Sequence, residues 1–123
     1  MPDRKAVAVP PERLLRYEQV IASVEGLDAK SNFGALYTAV NGNMSTMISR
    51  HGVVGIRLPA ADRAAFIERY ATELFRGDPA WPPAKEFVAV PDQLLDDLES
   101  LRPYLELAAT YTRSLKPKQT RRG

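Results

Sequence analysis

Residues 33–50 read Phe-Gly-Ala-Leu-Tyr-Thr-Ala-Val-Asn-Gly-Asn-Met-Ser-Thr-Met-Ile-Ser-Arg, two strand-like runs on either side of Asn41-Gly42. Asn and Gly tolerate the two positive φ angles of a type I′ turn better than other residues do, so the pattern predicts a tight hairpin from Phe33–Val40 to Met44–Arg50. Strict alternation along the second strand would put Met44, Thr46 and Ile48 on one face and Ser45, Met47 and Ser49 on the other. His51-Gly52 makes a second turn. Beyond it Val54, Ile56 and Leu58 alternate with Val53, Gly55 and Arg57, which predicts a third antiparallel strand ended by Pro59.

Upstream of the hairpin, Pro10-Pro11 suits the start of a helix, and Leu14, Tyr17, Ile21 and Val24 recur at helical spacing up to a C-terminal cap at Gly26. Asp28 to Asn32 is polar and reads as a loop. Downstream, Phe66, Ile67, Tyr70, Ala71 and Leu74 predict a helix over Ala60–Phe75 that stops at Gly77. Asp78 to Ala84 is a proline-rich loop around Trp81, with a short strand near Ala80–Trp81 as an option, and Glu86 to Val90 alternates as a further strand. A helical turn follows through Asp92–Asp97. In the last helix Leu101, Tyr104, Leu105, Ala108, Tyr111 and Leu115 form the apolar stripe, and an N-cap at Ser100 would keep Pro103 in the first turn. This order is too segregated for a parallel sheet. It predicts an α+β fold of the order helix, three strands, helix, one or two strands, helix, with the helices on one face of an antiparallel sheet. The other face is then left to water or to a partner.

The chain has 123 residues, 45% of them hydrophobic, which is enough for one core. Residues 1–10 read as a flexible arm, 11–115 as one domain and 116–123 as a basic, disordered tail. No run approaches the roughly 18 apolar residues of a membrane helix and the N-terminus lacks a signal-peptide pattern, so no membrane association and a cytoplasmic location are expected. The absence of cysteine removes disulfides, thiolate metal sites and thiol nucleophiles. Of the net charge of +2, the tail alone contributes Lys116, Lys118, Arg121 and Arg122. Residues 10–115 hold eleven Lys/Arg against fourteen Asp/Glu, so direct nucleic-acid binding by the folded part is not expected.

Candidate chemistry is sparse. His51 could be grouped with Ser45 or Ser49 and a carboxylate, but no nucleophile-elbow pattern surrounds either serine, and an exposed turn histidine is the simpler reading. Asp96, Asp97 and Glu99 lack the spacing of a calcium loop and suit a helix N-terminus. The glycines match no phosphate-binding loop. Trp81 can be either a recognition aromatic or a cover for the edge of the core. Asn43 and Met44 remain at the hairpin tip once the turn has accounted for Asn41 and Gly42. No catalytic residue, metal or cofactor is assigned.

The run Asn32 to Met44, with Phe-Gly followed by Val-Asn-Gly-Asn-Met, resembles the N-terminal domain of the TfoX/Sxy family of bacterial competence regulators. Val54–Pro59, Pro83–Pro91 and Tyr111–Lys118 are similar to that family's later blocks in the same order, so the likeness covers about Val20 to Lys118. It implies a fold like that of the secretion chaperones, with helix, three strands, helix, two strands, helix. It also implies homodimers, and a non-enzymatic role in transcriptional regulation through protein partners not yet identified. A freestanding copy of that domain is expected, with a binding surface drawn from Phe33, Tyr37, Asn43, Met44, Trp81 and Phe87. The alternative reading is a small-molecule site between sheet and helices, lined by Phe33, Tyr37, Trp81 and Phe87.

Overall fold

The computed structural model describes residues 10–32 and 35–116. The arm before Pro10, the tail from residue 117 onward, and Phe33 therefore lie outside the described residues. The elements run α1 (Pro11–Ala22), β1 (Asp28–Asn32), β2 (Ala35–Val40), β3 (Asn43–Ile48), β4 (Val54–Arg57), α2 (Ala60–Tyr70), β5 (Phe87–Val90), α3 (Asp92–Leu95) and α4 (Leu98–Ser114). The five strands form one antiparallel sheet in the order β1-β2-β3-β4-β5. The class is α+β, as the sequence predicts.

The hairpin turns at Asn41 and Gly42, with φ of 52° and 82°. Those are the left-handed values that a type I′ turn requires. Four strands rather than three precede α2, because Asp28–Asn32 is not a loop but pairs antiparallel with β2, Lys30 facing Tyr37. Its polar sequence hides it: the β2 backbone needs a ladder partner, and an edge strand can meet that need whatever its side chains.

Helices cover one face of the sheet. Tyr17, Val20 and Ile21 of α1, Phe66 of α2, and Leu101, Leu105 and Ala108 of α4 pack against Ile48, Val54, Ile56, Val88 and Val90 in a single buried cluster. Each fully buried aliphatic side chain there contributes on the order of 1.5–3 kcal/mol. α1 ends at Ala22 rather than at Gly26, whose φ of 91° instead helps turn the chain into β1.

α2 ends earlier than its periodicity predicts. Ala71 takes φ 51° and the Thr72 N–H reaches the Ile67 carbonyl, a Schellman-type stop. The chain then runs along β5, with Leu74 bridging Val88, the Phe75 N–H donating to the Phe87 carbonyl and the Ala89 N–H to the Glu73 carbonyl. Leaving the helix lets Leu74 and Phe75 reach the sheet. The optional strand at Ala80–Trp81 does not form; the extra pairing lies at Leu74. A left-handed alanine carries a steric cost of roughly 1–2 kcal/mol, which glycine avoids while adding unfolded-state entropy. Ala71→Gly is therefore expected to raise stability by about 0.5–1 kcal/mol, seen as a higher melting temperature.

The last helix begins before Ser100, because Asp97 is its cap and accepts a hydrogen bond from the Ser100 N–H at 3.3 Å. Pro103 consequently lies inside the helix rather than in its first turn.

Candidate interaction surface

β2 and β3 do not pair in uniform register. Tyr37 faces Met47 and Thr38 faces Thr46, but Ala39 faces Met44, so Ser45 is an extra residue in β3. A bulge of this kind lets two consecutive side chains share one face. Both Ser45 and Thr46 point toward the helices and are fully buried. This corrects the alternation expected from sequence: Met44 joins Met47 on the opposite face, and Ser45 joins Thr46 and Ile48.

The helix side of β2 and β3 is thus lined by hydroxyls. Thr46 Oγ1 lies 2.7 Å from the Tyr17 hydroxyl and 2.8 Å from Thr38 Oγ1. The Tyr17 phenol is pushed well above its ordinary pKa by burial, which outweighs the opposing effect of its bond to Thr46. Thr112 Oγ1 donates to the Ala108 carbonyl at 2.7 Å. Having only one proton, it must accept from Ser45, whose Oγ is 3.2 Å away.

The face turned away from the helices is mostly apolar. Alternation places Tyr37, Ala39, Met44, Met47, Gly55, Ala89 and Phe87 on it. Phe75 covers part of it: a Cβ added to Gly55 would lie 2.6 Å from the Phe75 ring, which is itself buried. At the end of this face the Arg57 guanidinium stands 5.5 Å above the centre of the Phe87 ring, donates to the Met44 carbonyl at 2.9 Å and pairs with Glu86 at 2.8 Å. Tyr111 of α4 donates to the other Glu86 oxygen at 3.1 Å, clasping helix to sheet.

Burial pushes the Glu86 carboxyl up, but the bonds from Arg57 and Tyr111 together hold it below its ordinary value of 4.5. A carboxylate lowered by folding stabilises the fold fully above that ordinary value, and the contribution disappears as pH falls through the lower folded-state value. Urea midpoints across the acid range are expected to drop from about pH 4.5 downward, less steeply in Glu86→Gln.

Of the six surface residues nominated from sequence, Tyr37, Met44 and Phe87 lie on the face without helices, but Phe87 is buried there under Arg57 and offers no free surface. Tyr37 and Phe87 therefore cannot line a space between sheet and helices. Asn43 lies apart from them, its amide donating to the Lys116 carbonyl at 2.9 Å beyond α4. Trp81 is in the loop after Phe75 and is 58% exposed, so it presents its ring to solvent rather than sealing the core. Phe33 is outside the described residues. The bulge hid from sequence that Met44 joins Met47 on this face, and the early end of α2 hid Phe75; no local signal marks either.

The polar candidates have structural partners. Ser49 Oγ accepts from the His51 and Val53 N–H groups and so shapes the turn, while Ser45 is buried against Thr112. The His51 ring is half exposed, with Nε2 3.6 Å from Asp78. Asp92 holds Arg13 through two bonds of 2.7 and 2.8 Å, Asp96 pairs with Arg16, and Asp97 caps α4. Among the described residues no group of three or more histidines and carboxylates is placed to hold a metal ion, and no helix is long and apolar enough to cross a membrane. Compared with known proteins, the chain matches no family model and no curated sequence.

Proposed function

We propose that this chain is a non-enzymatic protein-interaction module that pairs with a second copy of itself and acts in the cytoplasm, in transcriptional regulation, through a protein partner. The observation that carries this reading is the inverted β2–β3 hairpin, which turns Ser45, Thr46 and Thr38 inward and Tyr37, Met44 and Met47 outward. Methionine and tyrosine on a face without helices are side chains suited to packing against another protein surface. The resemblance of residues 32–44 and the later blocks to the competence regulators supports the regulatory part of the proposal, and those domains are the source of the expectation of pairing.

Light scattering at several protein concentrations tests the pairing. A dimer that Met47→Asp converts to a monomer without loss of far-UV signal is the expected result, because the charge would have to be buried unpaired at the interface. A parent chain that stays monomeric at the highest concentration overturns it.

A further inference from the structure

Trp81 is the chain's single tryptophan, and the loop holds it in one exposed position. Asp78 accepts from the Ala80 N–H at 2.9 Å, and its backbone carbonyl accepts from the Trp81 N–H at 2.9 Å, making a tight turn under the ring. Arg76 donates to the Trp81 carbonyl. Asp78 is in turn gripped from the β3–β4 turn by Arg50 at 3.0 Å. The indole lies over Gly77, where an added Cβ would come within 3.1 Å of two ring carbons. Pro79, Pro82 and Pro83 restrict the remaining backbone. An aromatic ring that is exposed yet already ordered loses little entropy on binding, which is the property of an interface anchor.

The charges around the ring indicate what it receives. Asp78 has its oxygens occupied and is mostly buried, whereas Arg50 and Arg76 are exposed. We propose that Trp81, with Arg50 and Arg76, forms a docking site for a short acidic peptide segment of a protein partner, the indole taking an apolar side chain and the guanidiniums the flanking carboxylates. This deepens the reading of the chain as an interaction module and rests on it. A nucleic-acid strand fits less well: it needs a cationic track longer than this cluster, and residues 10–115 carry three more negative than positive charges. A short peptide stays within the local field of the arginines, about a Debye length of 8–10 Å.

Indole emission reads binding directly. The full chain is titrated with the peptide Glu-Asp-Leu-Phe-Glu-Asp, its charge-reversed counterpart Lys-Lys-Leu-Phe-Lys-Lys, and oligothymidylate. The expected result is a blue shift with the acidic peptide alone. With a fluorescently labelled acidic peptide, Trp81→Ala is expected to weaken binding about tenfold. The double variant Arg50→Gln/Arg76→Gln keeps the indole and is expected to weaken binding several-fold, even if Trp81→Ala fails to fold. No shift with the acidic peptide, an equal shift with the reversed peptide, or a larger one with oligothymidylate overturns the proposal. Light scattering on the same samples separates the two readings: peptide binding lost while self-association persists sinks this inference alone, and a monomer that still binds sinks only the pairing.

Discussion

Phe75→Ala is expected to destabilise the fold by about 3–5 kcal/mol, as large a loss as deleting an aromatic ring from the main core. The ring is buried although it lies on the side of the sheet opposite the helices, because β4 offers it a seat at Gly55. Removing it exposes that seat and opens a cavity in one step. The reciprocal change, Gly55→Ala, forces a methyl group to within 2.6 Å of the ring, and overpacking of this kind costs roughly 1–3 kcal/mol. The two costs are expected not to add: with the ring gone, the alanine methyl fills space instead of clashing. Urea unfolding of both single variants and the double variant checks this, and strictly additive losses would mean that the ring does not rest on Gly55.

Thr46→Val is expected to cost about 2–3 kcal/mol, while Tyr17→Phe and Thr38→Val each cost about 1 kcal/mol. The ranking follows from position in the hydroxyl chain. Thr46 is the middle member, bonded to both neighbours, so its loss leaves two fully buried hydroxyls without that partner. Removing either end leaves the other two still bonded. An equal cost for all three in thermal or urea unfolding would show that the chain does not act as a connected unit.

What the sequence made legible was whatever local conformation dictates. Asn41-Gly42 announces its turn because few other pairs tolerate two positive φ angles, and the helical stripes of α1 and α4 follow from periodicity alone. The features that escaped are settled by distant residues. Ser45 and Thr46 both face inward because Thr112 on α4 and Tyr17 on α1 supply their partners, and no rule of alternation contains that information. Asp28–Asn32 is a strand through its backbone, not its side chains. Residues 72–75 have good helical periodicity and abandon it for β5.

The candidate surface was legible to the same extent. Tyr37 and Phe87 reach the face without helices by ordinary alternation, whereas strict alternation through Ser45 misplaces both Met44 and Asn43, since the bulge sets Ser45 and Thr46 on the same side. Trp81 could be noticed from its proline-rich surroundings. Its exposure could not be, since that depends on Arg50 holding the loop from another part of the chain.

The extra residue in β3 also links chain length to chemistry. Deleting Ser45 would keep Asn43 opposite Val40 and Met44 pointing outward, because ordinary alternation back from Thr46 gives those same orientations. The group that suffers is across the core, on α4, where Thr112 would lose a hydroxyl neighbour. Homologous chains one position shorter between turn and strand end should accordingly favour an aliphatic residue, valine or alanine, at the site equivalent to Thr112, an evolutionary covariation that a sequence alignment can look for.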